Sequence, residues 1–128
     1  MGQQQLLLIV LGVILVGIAV VLGIQYFGTG AEQGAKDELV AHSTIIASNA
    51  QEWYNKPKSM GGGGLSFLGF GTEFTTNLTK LSSSTNGTYT TTAGTDNEVD
   101  ITATPIRASY TWTVLTKVYA DSVVTSIQ

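Results

Sequence analysis

The sequence predicts an α+β fold in which a long N-terminal helix, first apolar and then amphipathic, packs on a C-terminal antiparallel β-sheet of four or five strands. Three observations lead to this prediction. Residues 1–31 carry no charged side chain, so every Lys, Arg, Asp and Glu lies in the rest of the 128-residue chain. Residues 31–55 place apolar side chains at helical spacing. Residues 73–128 are rich in Thr, and Tyr, Trp and Val alternate there with polar residues, which is typical of half-buried strands.

We divide the chain into an apolar helix (1–30), an amphipathic helix (31–57), a Gly-rich connector (58–72) and a β head domain (73–128). Within the first segment, residues 6–24 are aliphatic and interrupted only by glycine. An apolar stretch of about 18 residues or more can span a bilayer as a helix. No Lys or Arg precedes this stretch and no small-x-small cleavage site closely follows it, so we expect it to be retained.

The amphipathic helix is predicted from an apolar stripe that recurs at spacings of seven, four and three. The stripe consists of Leu39, Ile46, Ala50 and Trp53. Before this stripe, the two glycines of Gly28–Gly30 are expected to weaken the helix. Thr29 and Glu32 fit a capping box, which would start a helix there. Two alternatives follow: the helix restarts near Thr29, or one helix merely bends there. Pro57 ends the helix.

Five strand candidates follow the connector: Phe74–Lys80, Thr88–Ala93, Glu98–Thr104, Ser109–Tyr119, and a last strand with Val123, Thr125 and Ile127. Turns are predicted at Asn86–Gly87 and at residues 94–97. The amphipathic stripe is the natural cover for the inner face of the sheet. The predicted core of the head comprises Leu39, Ile46, Trp53, Val99, Ile101, Tyr110, Trp112 and Val114. The apolar run 65–70 is expected to pack against the helix or the sheet.

Composition argues against several functional classes. The net charge of −3 and the pI of about 4.8 make nucleic-acid binding through phosphates unexpected. The chain has no cysteine and a single histidine, His42, so we expect no enzyme, no cofactor and no metal site. His42 itself is expected at the boundary of the core rather than as a ligand.

Two further patterns in the head domain resemble known kinds of site. Asp96, Glu98 and Asp100 alternate as calcium ligands could, but the rest of a calcium loop is missing, so we expect a solvated strand face. Asn77 and Asn86 each begin an Asn-x-Thr sequon and are candidates for N-glycosylation.

The order of apolar helix, amphipathic continuation, connector and sheet resembles the type IV pilin superfamily, most directly in residues 1–24. Gly2 stands before the apolar run, where a dedicated peptidase cuts such prepilins, so the resemblance implies a mature start at Gln3. It further implies a structural subunit of an extracellular, pilus-like cell-surface filament used in adhesion, motility or DNA uptake. In that family the apolar helix first inserts in the inner membrane, and an ATPase-driven assembly machinery then moves it into a helical homo-oligomer. The residues expected to pack in the filament core are Leu6, Leu7, Ile9, Gly12, Val13, Val16, Gly17, Ala19, Val20 and Gly23.

The sequence departs from the pilin pattern at several points. Leu7 stands where family members usually carry Glu. Our hypothesis is that the side-chain amides of Gln3–Gln5 make hydrogen bonds in place of that Glu. A basic leader, a helix-breaking proline and a C-terminal disulfide loop are missing from this sequence. Two alternatives remain open: a minor pseudopilin of a type II secretion-like machine, and a single-pass membrane protein whose sheet domain binds a ligand outside the cell.

Overall fold

The computed structural model describes residues 2–128, and the chain divides into two compact units between Gly34 and Ala35. The α+β prediction, a long N-terminal helix and an antiparallel sheet, is confirmed, and the sheet has four strands. The elements are α1 (Gly2–Asn55), α2 (Phe70–Asn77), β1 (Gly87–Thr91), β2 (Glu98–Pro105), β3 (Val114–Tyr119) and β4 (Val123–Ile127), with short 3-10 helices at Lys58–Met60 and Thr79–Leu81.

The N-terminal unit, as far as it is described, consists of residues 2–34 of α1. Of the two alternatives at Gly28–Gly30, the structure has a single helix that continues through these residues and does not restart near Thr29. The hydroxyl of Thr29 donates to the Gln25 carbonyl at 3.0 Å, four residues back, which is a bond inside a helix and not an N-cap. The backbone groups of this apolar stretch are therefore paired within the helix, as an environment without water requires.

The C-terminal unit is built on the remaining part of α1, whose buried residues lie along one face of the helix, at spacings of three or four apart from one adjacent pair. They are Ala35, Leu39, Ser43, Ile46, Ala47 and Ala50. Four of these six side chains are Ala or Ser, and such small side chains allow a close approach to the sheet. Gln51 also joins α1 to the sheet, because its Nε2 donates to the Tyr119 carbonyl at 3.0 Å.

The Gly-rich connector caps the end of α1 as well as linking it to the head. Three successive backbone amides of the connector donate to carbonyls near the end of the helix: Gly63 to Trp53 at 2.8 Å, Gly64 to Lys56 at 2.9 Å and Leu65 to Tyr54 at 2.8 Å. These bonds satisfy carbonyls that have no partner within the helix. A side chain at Gly63 would collide with the Ser66 carbonyl and the Trp53 ring, so the tight path of the loop requires glycine there.

The predicted first strand, Phe74–Lys80, is wrong. Residues 70–77 form α2, and Thr79–Leu81 is a 3-10 helix. The physical reason is that Phe70 and Phe74, four residues apart, are both buried on one helical face, and Phe67 before them is buried as well. The spacing of four between Phe74 and Leu78 fits a helix as well as a strand.

The four strands are antiparallel and pair in chain order, β1-β2-β3-β4. The alternation predicted for β2 is confirmed. The inward residues of β2 and β3 are Val99, Ile101, Ala103, Val114, Thr116 and Val118, all of them buried. β4 pairs with β3 from Val118↔Val123 to Val114↔Ile127 and is exposed along its whole length.

The predicted strand Ser109–Tyr119 is too long at its start, because β3 begins only at Val114. Tyr110 and Trp112 were expected on the inner face of this strand. They lie instead in the preceding loop, where the Tyr110 amide turns back to the Arg107 carbonyl at 3.1 Å. The two rings stack with centroids 5.4 Å apart, and the Lys36 ammonium lies 5.4 Å from the centroid of the Trp112 ring. Stacking and cation–π contacts thus replace the expected strand pairing.

Candidate functional site

The most prominent candidate site is the surface of the apolar segment, which we define as residues 6–24 of α1. It carries fifteen Leu, Ile and Val side chains and no polar one. All of its residues are exposed, and none of the most apolar stretch of α1 is buried within the chain. By length and composition this helix is able to cross a membrane. Its surface therefore needs either lipid or other protein to shield it from water.

Small and large side chains are distributed unevenly around this helix. At about 100° per residue, all four small residues, Gly12, Gly17, Ala19 and Gly23, lie on one half of the circumference. The other half is occupied only by large aliphatic side chains, namely Leu7, Leu8, Val10, Leu11, Ile14, Leu15, Ile18, Val21 and Leu22. The ten residues predicted to pack in a filament core lie on the half with the small residues, except Leu7.

The glycines of this segment are not required by contacts within the chain. A Cβ atom added at Gly12, Gly17 or Gly23 would meet no atom within 4 Å. Each glycine costs an isolated helix up to about 1 kcal/mol relative to alanine. Gly17 lies at the edge of the small-residue half, and the shallow hollow beside it is lined mainly from the other half, for example by Ile14 and Val21. It is the small residues themselves that let a second helix approach closely.

The start of α1 holds the residues predicted for processing. Gly2 and Gln3 lie in its first turn and are exposed, whereas Met1 lies outside the described residues. Gln3 lines a shallow hollow together with Leu6 and Val10. Leu7, which stands where the pilin pattern has Glu, lines the same hollow and is exposed.

The predicted core residues of the head occupy two kinds of position. Leu39, Ile46, Val99, Ile101 and Val114 are buried in the core, whereas Trp53, Tyr110 and Trp112 are only half-buried. The expectation that the run 65–70 packs against the rest of the chain is confirmed at Phe67 and Phe70, which are buried in the core, whereas sequence reasoning missed the burial of Phe74 and Tyr89. The spacing of four between Phe70 and Phe74 is the signal that identifies a helical face.

His42 lies at the edge of the core and contacts the 3-10 helix Thr79–Leu81 and strand β1. Its ring stacks on Tyr89 with centroids 4.3 Å apart, and its Nε2 lies 3.0 Å from the Leu81 carbonyl oxygen. Burial raises the pKa of Tyr89 above its ordinary value of 10.0, and the nearby carboxylate of Glu38 raises it further, while a hydrogen bond with Ser84 acts in the opposite direction. These contacts join α1 to the sheet.

The three alternating carboxylates do not form a common site in the structure. Asp96 accepts a hydrogen bond from the Ser66 hydroxyl at 2.8 Å. Asp100 lies on the outer face of the sheet, directly opposite Lys117 in the register of β2 and β3. Among residues 2–128 no group of three His, Cys, Asp or Glu side chains is arranged to hold a metal ion.

The two sequons lie in different surroundings. Asn77 is exposed at the end of α2, whereas Asn86 is half-buried immediately before β1 and donates to the carboxylate of Glu38 on α1.

No protein-family model, characterised protein or solved structure matches this chain. The function is therefore inferred from the residues and their surroundings.

Proposed function

We propose that this protein is a structural subunit of an extracellular, type IV pilus-like filament. Its apolar helix packs among copies of itself in the filament core, and its β domain forms the outer surface. The observation that carries the proposal is the apolar segment 6–24, which is uncharged and exposed on every side within the single chain. The role is structural, in adhesion, motility or DNA uptake, and not catalytic.

The hydrophobic effect supplies a large driving force for removing this segment from water. Fifteen large aliphatic side chains at about 1.5–3 kcal/mol each give about 20–45 kcal/mol for complete burial. A bilayer and a bundle of identical helices both provide dry surroundings, so transfer between them changes this term little. On this proposal the subunit waits in the inner membrane and is then moved into the filament by an ATPase-driven assembly machinery, after a prepilin peptidase has acted at Gly2–Gln3.

The distribution of small residues favours a bundle over lipid alone. Between helices in a dry environment, association depends on close packing, which small residues permit. Lipid chains adapt to any side chain and give no reason for Gly12, Ala19 and Gly23 to share a face. Their spacing of seven and four supports a continuous line of close approach along one side of the helix.

The second candidate is a single-pass membrane protein whose β domain binds a ligand outside the cell. It is favoured by the length and composition of the apolar segment, which suit a lone membrane span. This candidate predicts a monomer in detergent and no polymer at the cell surface.

Cryo-electron microscopy of the sheared cell-surface fraction, with helical reconstruction, tests the proposal. We expect filaments whose core density fits residues 3–27 as packed helices, with the sheet domain outside. The same map would show whether Met1 and Gly2 are present. If the protein remains in the membrane fraction and no filament contains it, the filament proposal fails and the membrane-anchored candidate replaces it.

A further inference from the structure

The first sequon, Asn77-Leu78-Thr79, presents its acceptor side chain to solvent. Asn77 is the last residue of α2 and is exposed, as is Thr79 two residues later. Leu78 between them is half-buried and packs against the core, which fixes the sequon to the surface of the C-terminal unit. The Asn77 amide nitrogen donates one hydrogen bond, to the Glu73 carboxylate at 2.8 Å, and this bond lies on the surface. One of the two amide hydrogens is therefore sufficient for the contact with Glu73.

The second sequon, Asn86-Gly87-Thr88, is held against α1. The Asn86 side chain is half-buried, and its amide nitrogen donates to the carboxylate of Glu38. The next residue, Gly87, is buried, and even a single carbon atom added there would collide with the Leu39 side chain and the Thr104 carbonyl. A sugar attached to Asn86 would have to displace the contact with Glu38 and enter the space between β1 and α1.

We propose that Asn77, and not Asn86, is an acceptor for an N-linked oligosaccharide. The proposal rests on the proposed function in one respect, namely that the C-terminal unit is exported across the membrane, on whose outer face such modification takes place. The donor is an oligosaccharide carried on a polyprenyl diphosphate. Transfer to a folded chain requires an exposed acceptor side chain, and Asn77 is exposed whereas Asn86 is half-buried and holds Glu38.

The transfer of the sugar needs no reactant other than this donor and the asparagine. The Asn77 Nδ2 atom forms a bond to the anomeric carbon of the sugar, and the bond between that carbon and the diphosphate oxygen breaks. The polyprenyl diphosphate leaves with the electron pair, and one Nδ2 proton passes to a base of the transferase. The hydrogen that remains on Nδ2 preserves the bond to Glu73, so the modification need not disturb α2.

The test uses the folded full-length chain in detergent, a single-subunit oligosaccharyltransferase that recognises the bare Asn-x-Ser/Thr sequon, and a polyprenyl-diphosphate oligosaccharide of known mass. Intact mass spectrometry should show the addition of one oligosaccharide, and peptide mapping should place it on Asn77. Asn77→Gln and Thr79→Ala should abolish the addition. Asn86→Gln and Thr79→Ser should retain it.

A peptide covering residues 72–83 serves as the control for enzyme activity. If the peptide is modified and the folded chain is not, or if the sugar is found on Asn86, the proposal is overturned. Because the acceptor side chain of Asn77 is exposed, Asn77→Gln should leave the thermal unfolding temperature unchanged, which separates loss of the acceptor from loss of the fold. The assay requires no filament, so its failure and the failure of the filament proposal are separate results.

Discussion

Adding two methyl groups to the small-residue half of the apolar segment should weaken assembly while leaving the single chain intact. The perturbation is the double variant Gly12→Ala, Gly23→Ala. In the single chain neither new Cβ atom meets anything within 4 Å. Alanine also favours the helix by about 1 kcal/mol per site relative to glycine. The monomer should therefore be at least as helical as the unmodified protein.

The filament should respond in the opposite direction if neighbouring helices pack at these positions. Overpacking of a close contact costs about 1–3 kcal/mol per site, which amounts to about 2–6 kcal/mol per subunit for the pair. The gain in helix propensity cancels, because the segment is helical both in the membrane and in the filament. At 1.4 kcal/mol per factor of ten, the assembly equilibrium should fall about 30-fold to about 10⁴-fold.

The assay compares the amount of protein in the sheared filament fraction with the amount in the membrane fraction by quantitative immunoblot. The matched control is Gly28→Ala, Gly34→Ala, which adds the same two methyl groups outside the apolar segment, also into open space. The control should assemble normally. Normal assembly of the Gly12→Ala, Gly23→Ala variant would refute the inference of close packing at the glycines, and loss of its membrane insertion would refute the assumption that the monomer tolerates it.

Three further predictions concern the C-terminal unit and are measured by thermal or denaturant unfolding of the full chain in detergent. Ile46→Ala should destabilise this unit by about 2–5 kcal/mol because Ile46 is fully buried, whereas Ile45→Ala at its exposed neighbour should change little. Gly61→Ala should lower the free energy of unfolding by about 1–2 kcal/mol, because Gly61 has a positive φ and open surroundings. Gly94→Ala should lower it by more, because the added carbon also collides with the Phe67 carbonyl. Equal losses in the two variants would contradict this reasoning. The pKa of Tyr89 is higher in the folded state than its unfolded value of 10.0, because burial disfavours the phenolate. The contribution of Tyr89 to stability is therefore complete below pH 10 and is lost as the pH rises through the folded-state pKa. Tyr89→Phe should reduce the drop in unfolding temperature that the protein shows above pH 10.

Elements with a single dominant period were predictable from the sequence. β2 alternates Val99, Ile101 and Ala103 with polar residues, and all three are buried as predicted. The segment beginning at Phe74 was not predictable in this way, because its apolar residues satisfy both a strand and a helical period. Burial of Phe70 one turn earlier selects the helix, and that burial depends on a core the local pattern does not reveal.

The candidate site likewise has features that the sequence predicts and features that it does not. The exposed apolar segment follows from composition alone, since no charged residue interrupts it. The contacts that separate the two sequons do not follow from composition. Asn86 reaches Glu38 across 48 positions of sequence, and Tyr89 stacks on a histidine of α1 that is similarly distant. These contacts form only when β1 packs against α1, so they cannot be predicted from the residues near either partner in the sequence.

The fifteen glycines of the chain fall into two groups with different causes. From residue 61 onward, each glycine either has a positive φ or lies where an added carbon would contact a neighbour, so the fold of this chain accounts for it. The seven glycines of α1 have ordinary helical conformation and open surroundings, and the three within the apolar segment, Gly12, Gly17 and Gly23, each weaken it by up to about 1 kcal/mol. The single chain supplies no contact that offsets this loss. Close packing against other helices would offset it, and this reasoning favours a bundle of subunits over a lone anchor in lipid.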